Sequence, residues 1–201
     1  MLKSNHAVEE CRKPGRPRDE AVREKILAAA VELMEESGYA RLTCDAIAQR
    51  AGAGKATIYR WWQNKAGVVI DAFVESVTPE LPNQRLGSLD EYVTVHLRRF
   101  AKVLLGSKGR FLAAVIAAAQ DDPEVETAFI SHWLKPRRQV SRRILEEYRA
   151  EGELRSDADL ELVLDAMYGP LHFVLLVRHS RTTAAYAENL AALILNGLKP
   201  R

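Results

Sequence analysis

Cysteine is scarce in this chain. Cys11 and Cys44 are the only two thiols in 201 residues, too few for a disulfide framework and without metal-motif spacing. A reduced, cytoplasmic protein held by a packed core is the expectation. No apolar run approaches the ~18 residues of a membrane span, and no secretory segment follows the start, so no membrane partner is expected. Catalytic patterns are missing too. There is no Ser-His-Asp order with a nucleophile turn, no glycine-rich phosphate loop and no paired carboxylates. The five histidines, His6, His96, His132, His172 and His179, make no i, i+4 pair with one another and no metal set. His172 and His179 are seven apart, on one helix face. No catalytic residue, metal or cofactor is therefore expected, and an α-helical enzyme is disfavoured. Single-sign charge is also lacking: the net charge is +2, so composition alone does not announce nucleic acid.

What is present is a globular composition, 47% hydrophobic, with its basic charge gathered locally. Arg12, Lys13, Arg16 and Arg18 stand together without an acid. Arg41, Arg50, Lys55, Arg60 and Lys65 face Asp45 alone. Residues 1–18 read as a flexible basic arm. Its Gly15-Arg16-Pro17-Arg18 core resembles part of an AT-hook, which would bring Arg16 and Arg18 to a minor groove or phosphates; a solubilising tail is the alternative. Asp19 to Ser37 is a helix with Val22, Ile26, Ala29, Ala30 and Leu33 inward, stopped by Gly38.

Thr43 to Lys65, TCDAIAQRAGAGKATIYRWWQNK, carries the functional signal. Thr43 is an N-cap residue for a short helix bearing Ile47 and Ala51. Gly52 and Gly54 bracket a tight turn. A second short helix runs from about Lys55 to Trp62, with Ile58 and Trp62 inward and Lys55, Ala56, Tyr59 and Arg60 outward. Asn64 caps a further helix carrying Val69, Ala72, Phe73 and Ser76. A helix of this kind fits a major groove, with the residues near its start at base edges. Thr43, Lys55, Ala56, Thr57, Tyr59, Arg60, Trp61 and Lys65 are the candidate DNA contacts. Ala56 could meet a thymine methyl, Arg60 a guanine, and Thr57, Tyr59 and Lys65 the phosphates.

The stretch from Gly15 to Phe73 resembles the DNA-binding domain of the TetR family of transcriptional regulators. Ile26, Ala30, Gly38, Tyr39, Thr43, Ile47, Ala48, Ala51, Gly52, Lys55, Thr57, Ile58, Tyr59 and Lys65 stand in the family's order and spacing. In the family the position of Trp61 touches phosphate. Ala53 and Gly54 replace the usual valine and serine, Trp62 a phenylalanine and Ala66 a glutamate.

Beyond a junction at Leu81–Gly87 everything reads as helix: Ser88 to Leu105, then Arg110 to Gln120 after Gly106 and Gly109, then a long stretch from Asp121-Asp122-Pro123 to Ala150 with a kink near Pro136. The last two run from Ser156 or Asp157 to His179 and from Thr183 to Gly197. Arg137, Arg138, Arg142 and Arg143 alternate with acids and read as a solvated face. Leu171–Val177 is apolar on nearly every side, which makes the last two helices, about 157–197, the candidate two-fold contact. Tyr168-Gly169-Pro170-Leu171, after Glu151-Gly152-Glu153-Leu154-Arg155, is similar to one subtype of TetR-family effector domain.

The resulting expectation is all-α, about nine helices. A three-helix helix-turn-helix DNA-binding domain (19–78) precedes a helical effector and dimerisation domain (88–197). The resemblance implies a homodimeric repressor released from a double-stranded DNA operator by a small-molecule effector. His96, Phe100, Phe111, Trp133, Tyr168 and His172 are the candidate ligand contacts. The rival reading is a DNA-organising or adaptor protein whose C-terminal bundle has a filled core and binds protein.

Overall fold

The computed structural model describes residues 17–81 and 84–199. The arm with Arg16 and Cys11 lies outside the described residues, and so does the side chain of Arg18. Among the described residues the fold is all α-helix. The segments are α1 (Pro17–Arg41), α2 (Cys44–Ala51), α3 (Lys55–Trp61), α4 (Lys65–Val77), α5 (Leu89–Leu105), α6 (Ser107–Asp121), α7 (Pro123–Ala128), α8 (Lys135–Ala150), α9 (Leu160–Leu176) and α10 (Ala184–Leu198). A π-helical turn, Phe129–Leu134, joins α7 to α8 without a break, so these segments form nine rods. No described helix is long and apolar enough to cross a membrane.

Local side-chain chemistry starts most of these helices. Thr43 Oγ1 accepts from Ala46 N at 3.1 Å and Asn64 Oδ1 from Gly67 N at 3.0 Å. Ser88, Asp122, Asp159 and Thr183 do the same for α5, α7, α9 and α10. Each bond satisfies an amide that has no partner within its own helix. Two boundaries fall earlier than the sequence suggests. Helix α1 begins at Pro17, ahead of Asp19, and Pro is suited to the first turn. Helix α6 begins at Ser107, so Gly109 lies inside it rather than between helices. A Cβ on Gly109 would meet the Leu104 carbonyl oxygen at 2.1 Å. Glycine is what lets α6 fold back so tightly on the end of α5. Helix α9 is shorter than expected. It is capped by Asp159, ends at Leu176, and leaves His179 in a left-handed backbone (φ 48) outside the helix. His172 and His179 therefore share no helix face.

Helix α4 is the structural hub. Ala66, Val68, Val69, Ile70, Ala72 and Phe73 are all at most 1% exposed. It packs on α1 from one side and on α6, α7 and the π turn from the other. Burying a side chain such as Phe73 or Ile70 contributes about 1.5–3 kcal/mol each, so the first four helices share their core with the rest of the chain. Helices α5, α9 and α10 pack together, closed by the buried Thr182 hydroxyl on the Ala101 carbonyl at 2.9 Å. The π turn sits one turn ahead of Pro136, which has no N–H to give the carbonyl four residues before it. The irregularity expected near Pro136 is this widened turn.

Candidate nucleic-acid interface

Helices α2 and α3 are set by the turn between them. Gly52 adopts φ 64, ψ 30, and its N–H reaches the Ala48 and Gln49 carbonyls. A β-carbon is disfavoured in that left-handed conformation, so glycine is needed there. Gly54 is different: at φ −76, ψ 142 its backbone suits any residue, and no side chain caps α3. Ile58 at 0% and Trp62 at 4% exposure anchor α3 to the core. The opposite face presents Lys55, Ala56, Tyr59, Arg60 and Trp61, all exposed, with Thr57 half-buried between them. The structure thus brings the α3 candidates onto one outward surface, beside Thr43 at the start of α2.

Three charges behave differently from their position in the sequence. Lys65 does not present its ammonium outward. It lies 4.2 Å from the centre of the Tyr39 ring and donates to the carbonyls of Leu42 (3.3 Å) and Tyr39 (3.4 Å). In the absence of DNA, Lys65 thus braces α4 against the end of α1. Arg50 is turned back onto α1, 2.8 Å from Glu36 and 3.0 Å from Glu32. Those carboxylates hold its proton more tightly, and the Arg50 guanidinium in turn pulls the Glu36 carboxyl below its usual range. Lys55 stays on the surface but pairs with Asp45 at 2.8 Å, which raises its pKa. The Cys44 thiol beside Tyr59 pushes that phenol upward. The buried Cys44 itself is a free thiol at the start of α2.

Two polar ties run from this unit to α7 and the π turn. Trp62, which caps the end of α3, donates its indole N–H to Asp71 Oδ2 at 2.8 Å. His132 Nδ1 lies 2.8 Å from the other oxygen of Asp71, and the carboxylate only accepts, so Nδ1 carries the proton. Tyr39 donates to Asp122 Oδ2 at 3.3 Å, while Asp122 Oδ1 caps α7. Burial and the Asp122 charge push the Tyr39 phenol up. None of these ties was legible in the sequence, since the partners are 9 to 83 residues apart.

A second feature lies beyond the π turn. Phe100, Trp133, Leu134, Arg137, Tyr168 and His172 line a cavity of about 330 Å³, with Arg138, Asp165 and Gly169 at its edge. Four of the six candidate ligand residues meet there. Phe111 does not: it packs edge-on against Phe73 at 5.4 Å, in the core between α4 and α6. His96 stands behind the wall, 4% exposed, with Nε2 hydrogen-bonded to the Tyr168 hydroxyl at 2.7 Å. Burial, with Arg137 and Arg99 nearby, lowers the His96 pKa to about 3. His172 is held neutral by burial, and its Nδ1 donates to the Tyr168 carbonyl at 2.9 Å. Arg137 belongs to this wall rather than to a solvated face. Its guanidinium lies 4.7 Å from the Trp133 ring centre and donates twice to the Leu81 carbonyl at 3.3 Å. Arg138 pairs at the surface with Glu161 and Asp165.

Comparison with known proteins places these features. Residues 26–72 match the family model for bacterial regulatory proteins of the tetR family, and residues 84–194 match the tetracyclin repressor-like C-terminal domain. The uncharacterized HTH-type transcriptional regulator YdeS of Bacillus subtilis (strain 168) is 35% identical over 187 residues, 93% of this chain and 94% of that protein. Among solved structures, the TetR family transcription regulator SCO0332 superposes with a TM-score of 0.76 at 29% identity, over 89% of this chain and 99% of that one. FadR of Bacillus subtilis, in complex with stearoyl-CoA, shares the fold with a TM-score of 0.67 at 23% identity, over 87% and 98%. The helix-turn-helix with its outward α3 and the all-helical remainder are those of a DNA-binding protein rather than an enzyme, and the chain belongs to the TetR family of transcriptional regulators.

Proposed function

We propose that this chain acts as a homodimeric repressor that leaves a palindromic operator when a small-molecule effector enters the cavity beside Trp133. In this reading residues 19–78 form the DNA-binding unit and residues 88–197 the effector and dimerisation unit. Thr43, Lys55, Ala56, Thr57, Tyr59, Arg60 and Trp61 contact DNA, with Arg60 at a base edge and Tyr59 and Trp61 on phosphates. The observation that carries the reading is that one rod borders both places. Trp133 faces the cavity, and its neighbour His132 holds Asp71, which holds the indole that ends α3. A ligand that prefers one tilt of this rod shifts α3, by an amount limited to its differential affinity for the two states.

The dimer rests on a separate observation. Leu162, Phe173 and Val177 on α9 and its end, and Leu193 on α10, are 52–72% exposed. Such an apolar face marks an interaction surface, and a two-fold four-helix contact would cover it. It would also set two recognition helices ~34–36 Å apart, one DNA turn. The stearoyl-CoA bound by FadR supports a small molecule as effector within this fold. The rival adaptor reading requires a filled core, which the cavity of about 330 Å³ speaks against.

Gel-shift titration on DNA fragments flanking the gene tests the proposal. Arg60→Ala is expected to relax preference at particular base pairs, and Tyr59→Phe to weaken all sequences alike. Leu193→Glu is expected to give a monomer by light scattering and to lose the operator complex. A wild-type monomer that binds the operator, or unchanged binding by every variant, refutes it.

A further inference from the structure

The cavity beside Trp133 combines flat walls with charges that are already engaged, and the combination points to a ligand class. The flat walls come from three segments: Phe100 from α5, Trp133 from the π turn, and Tyr168 with His172 from α9. Phe100 and Trp133 are 4% and 5% exposed. Phe100 meets Tyr168 edge-on at 5.4 Å and His172 at the same distance. Tyr168 and His172 are one helical turn apart, so both reach the same space. At about 330 Å³ the cavity is at the small end of ligand pockets, which run from about 300 to 1,000 Å³. Walls made of rings favour a flat aromatic guest, which gains edge-to-face and stacked contacts beyond the area it buries.

The charged groups of the lining have partners of their own. Arg137 donates from both terminal nitrogens to the Leu81 carbonyl at 3.3 Å and covers the Trp133 ring at 4.7 Å. Arg138 pairs with Asp165 at 2.6 Å and with Glu161. Two guanidiniums thus stand beside two carboxylates, and the site has neither a spare cation nor a spare anion among these groups. A charged guest would have to leave water without a partner waiting for it, which costs far more than burying a neutral ring. The two histidines add no charge, since burial keeps both neutral. The Tyr168 hydroxyl is hydrogen-bonded to His96 Nε2. His172 differs from these groups. Its Nδ1 bonds the Tyr168 carbonyl, and a carbonyl oxygen only accepts, so Nδ1 carries the proton. In the neutral ring Nε2 is then an acceptor, and no described residue donates to it. The lining therefore offers stacking faces, balanced charge and one open acceptor.

We propose that the effector is a neutral, flat aromatic molecule bearing a hydroxyl or N–H, its ring against Phe100, Trp133 and Tyr168 and its donor on His172 Nε2. This rests on the effector reading above and narrows it to one chemistry. The full-length protein is titrated by calorimetry at neutral pH with four probes: 2-naphthol, 2-methoxynaphthalene, 2-naphthoate and 1-octanol. The expected result is 2-naphthol bound about three- to tenfold tighter than its methyl ether, which has no proton to give; that is the range of one neutral hydrogen bond. The anionic 2-naphthoate should bind about tenfold or more weaker than 2-naphthol, and 1-octanol about threefold or more weaker, for want of ring contacts. His172→Phe keeps a flat ring and removes the acceptor. It should bring 2-naphthol down to the affinity of the ether while leaving the ether's binding unchanged, which shows the cavity intact. The comparison on the wild type does not depend on that variant. Equal affinity for 2-naphthol and its ether, a preference for 2-naphthoate or 1-octanol, or no binding by any probe overturns the assignment. The same probes added to the protein–DNA complex separate the two claims. Release by 2-naphthoate or 1-octanol but not by 2-naphthol refutes the ligand class and keeps the effector reading. His172-dependent binding of 2-naphthol with no release upholds the ligand class and refutes the effector role.

Discussion

Replacing Asp71 by alanine is the sharpest perturbation of the tie between α3 and the π turn. Its carboxylate serves two donors, Trp62 Nε1 and His132 Nδ1, each at 2.8 Å. The two ends are unequal. Trp62 is 4% exposed, so its indole N–H would be left without a partner and away from water. That costs about 1–3 kcal/mol, with a charged acceptor toward the upper half. The His132 side chain is 45% exposed, so water replaces its bond, and the loss there is about 0–1 kcal/mol. Asp71→Ala is therefore expected to cost about 2 kcal/mol, lowering the midpoint of thermal unfolding by roughly 4–8 °C for a chain of this size. His132→Ala should cost under about 1 kcal/mol. The decisive measurement is a double-mutant cycle by urea denaturation. In a Trp62→Phe background the orphaned donor no longer exists and only the His132 bond is lost, so Asp71→Ala should cost less than about 1 kcal/mol. If the cost stays near 2 kcal/mol there, the indole bond is not what Asp71 supplies, and the reasoning is refuted.

Three further outcomes follow from other sites. Gly109→Ala places a methyl 2.1 Å from a backbone oxygen, and overpacking of about 2–3 kcal/mol should appear as a lower denaturation midpoint; no loss would mean that the α5–α6 approach is looser than described. Lys65→Met removes the ammonium from the Tyr39 ring and two carbonyls, and should cost about 1 kcal/mol of stability in the absence of DNA; unchanged stability with weakened DNA binding would restore a phosphate role. His96, lowered by burial from 6.5 to about 3, stays neutral in the folded protein, while the unfolded chain takes up a proton below pH 6.5. Its contribution is complete above pH 6.5 and drains away as the pH falls toward 3, by up to about 1.4 kcal/mol per unit. His96→Gln should thus lose about 2 kcal/mol less than wild type between pH 7 and 5, and equal losses would refute it.

The parts of this molecule that were legible in the sequence are those decided within a few residues. Thr43, Asn64, Ser88, Asp122 and Thr183 each bond an amide two or three positions ahead, so a short polar side chain before an apolar stripe was enough to read them. Ile58 and Trp62 were readable as core because four-residue spacing repeats one helix face. What escaped was decided by distant partners. The two carbonyls and the ring that Lys65 meets lie 23 to 26 residues back along the chain, so its bracing contacts could not be read locally. Arg137 looked solvated because its neighbours alternate in sign, yet the Leu81 carbonyl and the Trp133 ring draw it to the cavity wall. Phe111 and Phe100 have the same composition signal, and only the placement of α4 decides which one lines space and which fills the core.

The unbroken course of α7, the π turn and α8 has a mechanical consequence. Eleven residues separate Trp133 from Asp122, a span of roughly 16 Å at helical rise. A pivot of about 5° where a guest molecule would sit sweeps the far tip through roughly 1.4 Å. That is about half a hydrogen-bond length, enough to pull the Asp122 oxygen away from the Tyr39 hydroxyl. A rigid beam of this length turns a nudge too slight to disturb the surrounding core into a displacement that α1 must follow or release.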